Sequence, residues 1–263
     1  GYKSENIRNV ALVGHGGSGK TTFLEAALLA TGVISRLGKV EDGNTVSDYD
    51  KMEKEKGYSI STSIVPVEYE KVKINFLDTP GFFDFIGEVE GALRAVEAAA
   101  ILVDASSGVQ VGTEKAWNLC KKEGMPRFFI INKTDKENVD VSAVVEELKE
   151  KFGTSVATLD DRDALSEAIA ETDEELMEKF FDVGEFTDEE FAQGLINGIG
   201  SGDIAPVLDC SAVKGEKIAE VLDAIVKYVP TATGKEYETA DGETVKCDPA
   251  GKMSAFVFKP IAD

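Results

Sequence analysis

The sequence predicts an α/β fold: a doubly wound, mostly parallel six-stranded sheet with a small helical insert and an added β segment at its end. Three observations carry this. Short apolar runs recur along the chain, each bounded by glycine, proline or polar residues, as buried strands are. Stretches with a helical apolar period lie between them, and such alternation favours parallel strands joined by helical crossovers. An apolar content of 43% over 263 residues is enough for a sizeable core.

Val10–Val13 reads as a buried strand that runs into a glycine-rich loop, and Thr21–Ala30 as the helix that follows. Residues 32–62 carry glycines, serines and charges with no clear period. They predict a long loop, and long loops in compact domains are usually functional or disordered. Next, Ile64, Pro66, Glu68 and Glu70 alternate with Val65, Val67 and Tyr69, and after Lys71 the pattern resumes with Val72, Ile74 and Phe76. This is a hairpin leading to Asp78, the one antiparallel element. Ala99–Val103, Arg127–Ile131 and Pro206–Asp209 supply the other strands, and Gly87–Val96, Thr113–Cys120, Val141–Phe152 and Lys217–Val229 the other helices. In the last helix, Ile218, Val221, Leu222, Ile225 and Val229 share a face.

Residues 154–205 interrupt the alternation. They contain two capping boxes, Thr172-x-x-Glu175 and Thr187-x-x-Glu190, and Phe191, Leu195 and Ile199 on one helix face. The segment reads as a small acidic helical insert whose charges form a solvated face. After Pro230, TATGKEYETADGETVKCD places an Asp241-Gly242 turn between polar strands. MSAFVFKPIAD then alternates as a strand with no partner left in sequence. The division expected is a domain of 1–153 and 206–233, an insert of 154–205, and 234–263 as a linker with the beginning of a truncated β domain.

The formal charge of -21 disfavours binding driven by bulk attraction to nucleic-acid phosphates, so any such contact must be local and specific. Three cysteines without metal-like spacing fit a reducing compartment. The start, GYKSENIRNVALVG, carries no apolar signal stretch, and no run reaches the length of a membrane span. A cytoplasmic, monomeric protein without membrane association is the expectation.

GHGGSGKT, Gly14 to Thr21, fits G-x4-G-K-[ST] between a strand and a helix. In such a loop the backbone of His15, Gly16, Gly17, Ser18 and Gly19 closes around phosphates at a helix N-terminus. Lys20 reaches the β- and γ-phosphates, the Thr21 hydroxyl ligates Mg²⁺, and Thr22 contacts the α-phosphate. The loop alone does not separate ATP from GTP. Asp78 ends an apolar strand, where P-loop enzymes place the acid that supports Mg²⁺, here through water. Three residues on, Gly81 offers its N–H to a γ-phosphate; taken alone, the same four residues are an ordinary Pro-Gly turn. Lys20 and Gly81 are the expected catalytic groups.

NKTD, Asn132 to Asp135, decides the base. It follows a strand at the edge where such sheets bind ligands. The Asp135 carboxylate can accept from guanine N1–H and N2–H₂ together, whereas adenine leaves it unpaired. Such mismatches discriminate by on the order of 10⁴. Lys133 can pack its stem along the nucleotide. Ser211 and Ala212, after the last strand, complete the set, with the Ala212 N–H directed at guanine O6.

Together these residues resemble the translational GTPases, most closely the elongation factor G-like members. Gly32 through Gly43 and Asp48 through Ile60 look like that family's first switch loop. KGYSI stands at its switch threonine motif, which implies Ser59 as a second hydroxyl on Mg²⁺. TDEELMEKFF and the turn before PVLDCSA look like its helical insert, and MSAFVFK like the opening strand of its β-barrel domain II. The resemblance implies GTP and GDP as ligands and the ribosome as partner. Three positions depart from the family: Gly17 stands for an aspartate, Gly16 for an apolar residue beside the attacking water, and Phe82 for the histidine that positions that water. A side branch of the family carries GHGGSGKT and an aromatic at the Phe82 position. The insert is also shorter than the family's, without its usual strands after Gly153.

The expectation is a GTPase that hydrolyses GTP to GDP and phosphate, slowly without a partner. The alternative is a GTP-dependent ribosome-binding module with little or no hydrolysis. Asn132 and Asp135 argue against a third reading, an ATPase or small-molecule kinase.

Overall fold

The computed structural model describes residues 1–47, 51–233 and 235–259. Residues 48–50 of the expected switch loop, residue 234 and the end of the expected terminal strand, 260–263, lie outside the described residues.

The elements, in order, are β1 (Ile7–Gly14), α1 (Lys20–Ala30), α2 (Lys51–Lys56), β2 (Ser63–Tyr69), β3 (Val72–Asp78), α3 (Ile86–Arg94), β4 (Ala98–Asp104), α4 (Val111–Lys122), β5 (Arg127–Asn132) and α5 (Val141–Phe152). There follow β6 (Val156–Thr158), α6 (Arg162–Ala170), α7 (Glu174–Val183), α8 (Asp188–Ser201), β7 (Ala205–Asp209), α9 (Ile218–Tyr228), β8 (Glu236–Glu238) and β9 (Thr244–Lys246).

The main sheet has the order β2-β3-β1-β4-β5-β7-β6. β2 pairs antiparallel with β3, and every other pair in it is parallel. The mostly parallel α/β architecture is as expected, with seven strands rather than six. The additional strand, β6, lies within the segment expected to be wholly helical and pairs with β7 as the sheet's edge. At three residues it is too short to show an alternation, which is why sequence pattern misses it.

Helices cover both faces. On one, α1 and α9 bury Phe23, Leu28, Leu222 and Ile225 against Leu12, Phe76 and Ile130. On the other, α3, α4 and α5 bury Leu93, Trp117 and Leu148 against Val13, Ile101 and Phe129. β4, AAAILVD, is buried throughout because it sits mid-sheet under both layers. A third, smaller core joins α6 and α8 through Leu165, Ile169, Leu195 and Ile199.

Capping explains the helix starts in the insert. Thr187 and Glu190 form the expected reciprocal box at α8. The box at Thr172 does not form: Asp173 caps α7 by accepting from the Glu175 and Leu176 N–H groups, while the Thr172 hydroxyl donates to Ile169 O. An aspartate one residue nearer the helix competes better for those amides. Among its described residues, the expected loop at 32–62 contains one short α-helix, α2, and a 3-10 turn at Val40–Asp42. β8 and β9 form the expected polar hairpin across Asp241-Gly242. Described residues 253–259 form no strand, since no neighbouring strand supplies ladder bonds to them. They lie instead along α3, with Arg94 over the Phe256 ring at 4.8 Å and the Lys259 ammonium donating to Thr62 O at 2.6 Å.

Among the described residues, no helix is long and apolar enough to cross a membrane.

Candidate functional site

The strands of the parallel sheet end together, and the chain leaves β1 between two neighbours, β3 and β4, reached in opposite directions. That is the switch point at which open α/β sheets bind ligands. The residues singled out in the nucleotide motifs sit at strand ends on this edge, on the loops that leave it, at the start of α1, or in the segments folded over it.

The loop after β1 turns tightly onto α1. Gly17 and Gly19 have φ of 83° and 92°, a left-handed backbone that favours glycine. The first N–H groups of α1 have no intrahelical acceptor and face the loop. Lys20 is buried beneath it, its ammonium donating to Gly14 O and His15 O at 3.3 Å. Burial lowers its pKa, and the Asp78 carboxylate only partly restores it, leaving it at about 8. His15 turns away from the loop interior, its Nδ1 accepting the Gly112 N–H at 3.2 Å at the start of α4. Thr22 lies on the first turn of α1 and is half-buried.

Three segments meet at Asp78. The Thr21 hydroxyl donates to Asp78 Oδ2 at 2.8 Å, and Ser59 Oγ lies 3.4 Å from Thr21 Oγ1. A residue that sequence reasoning did not single out, Ser47, donates to the same carboxylate oxygen at 2.9 Å. The donor set is all oxygen, three hydroxyls and one carboxylate, which suits a hard divalent cation such as Mg²⁺. No cluster of three or more His, Cys, Asp or Glu able to hold a metal occurs among the described residues.

Beyond Asp78, the Thr79 hydroxyl donates to Leu12 O at 2.6 Å and ties this loop to β1. Gly81 then comes so close to the phosphate loop that a Cβ on it would stand 2.6 Å from Lys20 Nζ and 2.7 Å from Gly16 Cα. Phe82 follows, 46% exposed, its ring against Gly16 and Tyr58.

The base-side loops are locked to the phosphate loop by Asn132. Its Oδ1 accepts from Lys133 N at 2.8 Å and Ala212 N at 3.1 Å, and its Nδ2 donates to Ser18 O at 3.2 Å. The Ala212 N–H is thus engaged by Asn132, and a guanine O6 would have to share it. Ser211 Oγ donates to Asp135 Oδ1 at 2.6 Å and orients that carboxylate. Lys133 adopts φ 68°, unusual for a residue with a side chain, and its ammonium donates to Gly17 O and Asp104 Oδ2.

Three further carboxylates hold the site, and no motif marks them. Burial raises the Asp104 pKa, but hydrogen bonds from Lys133, Ser106 and Lys136 outweigh it and hold the group well below the usual range. Glu25, 1% exposed on α1, accepts from Gly38 N at 3.0 Å and Val46 N at 2.6 Å. Glu53 accepts from Ile60 N and Ser61 N, just past Ser59. Glu25 did leave a signal: it is the single acid in KTTFLEAALLA.

Comparison with known proteins places the chain in a family. The elongation factor Tu GTP binding domain family matches residues 5–231. The chain is 30% identical to elongation factor G 2 of Hahella chejuensis, an alignment covering 99% of this chain and 46% of that protein. It extends over 309 positions, more than the 263 residues here, so the relative carries residues this chain lacks. A crystal structure of a Thermus thermophilus protein superposes with a TM-score of 0.78 at 32% identity, over 87% of this chain and 41% of that one. The chain thus spans under half the length of each relative. With its nucleotide motifs gathered at one sheet edge, the chain belongs to the elongation factor Tu GTP binding domain family, among the elongation factor G-like translational GTPases.

Proposed function

We propose that the protein binds GTP with Mg²⁺, hydrolyses it to GDP and phosphate, and acts as a translation factor on the ribosome in the cytoplasm. The observation that carries this reading is the meeting of Thr21, Ser47, Ser59 and Asp78 beside Lys20 and Gly81. Three chain segments converge where a γ-phosphate and its cation would bind, so the loss of that phosphate would release the two loops that carry Ser59 and Gly81. The same convergence supports residue roles. Thr21 and Ser59 would ligate Mg²⁺ and Asp78 would hold it through water, and the cation, when bound, would neutralise phosphate charge.

Hydrolysis is an in-line transfer to water, and its catalysis is positioning and charge stabilisation. The Lys20 ammonium and the α1 amides would bind the phosphate oxygens, and the Gly81 N–H would donate to the γ-phosphate. Asp135, oriented by Ser211, would accept from the guanine edge. Residues 234–263, which include the β8–β9 hairpin, would be the linker and the beginning of domain II.

Phe82 has no hydrogen-bonding side-chain atom, so it can exclude water but cannot orient it. That favours slow turnover until a partner supplies the missing group, and it keeps open a GTP-dependent ribosome-binding module with little hydrolysis. Single-turnover GTP hydrolysis by full-length protein, with and without ribosomes, tests both readings. Ribosome-stimulated release of phosphate is expected; GTP retained intact in both conditions would leave only the module. Phe82→His should raise the rate if the absent imidazole limits the chemistry.

A further inference from the structure

We propose that Tyr58 and Phe82 form an aromatic clasp closed over Gly16, and that this clasp sets how fast nucleotide leaves the site. The inference rests on the GTP-binding reading above and concerns retention of the nucleotide rather than its cleavage.

Each member comes from a different segment. Phe82 follows the Asp78–Gly81 turn, Tyr58 precedes Ser59 in the loop over the site, and Gly16 lies in the phosphate loop. The two rings pack with centroids 4.6 Å apart at 56°, within the range of attractive aromatic pairs. The Phe82 ring also covers Gly16: a Cβ built there would stand 3.3 Å from Phe82 Cζ and 3.4 Å from Cε1.

The glycine at 16 is therefore explained by the ring and not by the backbone. Gly14, Gly17 and Gly19 in the same loop all have a positive φ, whereas Gly16 does not. An L-residue could adopt its conformation, but a branched side chain would meet Phe82. The aromatic at 82 and the missing side chain at 16 are two halves of one steric arrangement, and Tyr58 packs against the same ring.

The clasp reaches the cation site by a short path. Tyr58 is bonded to Ser59, whose hydroxyl lies 3.4 Å from Thr21 Oγ1. Glu53 holds the next two amides, Ile60 N and Ser61 N. Parting the rings lifts Tyr58 and draws Ser59 from Thr21, while Phe82 draws Gly81 off Lys20. A contact with no polar atom at Phe82 thus holds the Ser59–Thr21 contact and the close approach of Gly81 to Lys20.

The test is dissociation of a fluorescent guanine nucleotide, loaded with Mg²⁺ on full-length protein and chased with unlabelled GTP. Phe82→Ala and Tyr58→Ala should each speed release by roughly three- to tenfold, the range of one aromatic pair. The double variant should be no faster than the faster single one. Gly16→Val should speed release in the parent and add less than about twofold to Phe82→Ala, because the ring it displaces is already gone. Phe82→Leu, which keeps the apolar bulk without the ring, should fall between parent and alanine. Effects that multiply, or a Gly16→Val effect equal in both backgrounds, would overturn the clasp. So would unchanged release combined with a loss of ribosome-stimulated turnover, which would make the rings a docking surface. A parent protein that fails to retain guanine nucleotide would overturn the GTP reading together with the clasp; one that retains it without coupling among the variants overturns the clasp alone.

Discussion

Asn132→Ala removes a side chain that joins the phosphate loop to both base-side loops. Asn132 is 1% exposed, and its amide satisfies Lys133 N, Ala212 N and Ser18 O. Ser18 and Ala212 are equally buried, so the alanine variant strands their groups away from water. The Lys133 amide is nearer solvent and rehydrates. A buried group left without a partner costs about 1–3 kcal/mol, so two such groups destabilise the fold by roughly 2–4 kcal/mol after some water entry. For a domain of this size that is a fall in Tm of roughly 4–15 °C. The assay is thermal unfolding of the nucleotide-free protein, which separates the scaffold role from any contact with a base. Asn132→Asp sharpens it: the acceptor to both amides survives, while a carboxylate oxygen replaces the donor facing Ser18 O. It should melt below the parent for that reason alone. An alanine variant within about 0.5 kcal/mol of the parent would refute the reasoning, since an expendable Asn132 cannot be what joins the loops.

Two further outcomes follow from the same geometry. Lys20 sits at about pKa 8 because burial disfavours its charge. Phosphate binds the protonated form and raises that pKa. Binding is therefore proton-neutral below pH 8 and takes up a proton above it, and guanine-nucleotide affinity measured by calorimetry should fall as pH rises through 8, approaching tenfold per unit. A flat profile from pH 7 to 9.5 would show that Lys20 stays charged throughout. Gly81→Ala places a methyl within 3 Å of Lys20 Nζ and the Gly16 backbone. The loop must retreat, so single-turnover hydrolysis should drop at least tenfold while thermal stability changes little; parent-like turnover would mean that Gly81 does not approach the phosphate.

Most of the architecture was legible because its signals are local. The run Val10–Val13, the alternation from Ile64 to Phe76 and the face of Ile218, Leu222 and Ile225 each state one element's period within a few residues. β6 was not legible: three residues cannot display a period, and only β7 beside them makes them a strand. Thr172 and Asp173 both had the chemistry of a cap, and the start of α7 chose between them.

The same division holds in the site. GHGGSGKT, DTPG and NKTD are contiguous because a backbone turn that cradles phosphate, or a loop that reads a base, is built from adjacent residues. They therefore announced the family, and a candidate guanine-nucleotide site, from sequence alone. Only the tertiary structure brought Ser47 to Asp78, Glu25 to Gly38 and Val46, and Asp104 to Lys133. These are single polar residues in ordinary surroundings, and their partners are chosen by chain segments that meet only on folding. Phe82 shows the distinction most sharply. As a letter it is a missing histidine; in the folded chain it is a ring seated on Gly16 and Tyr58, because van der Waals contact depends on where three distant segments are placed, and no local pattern encodes that placement.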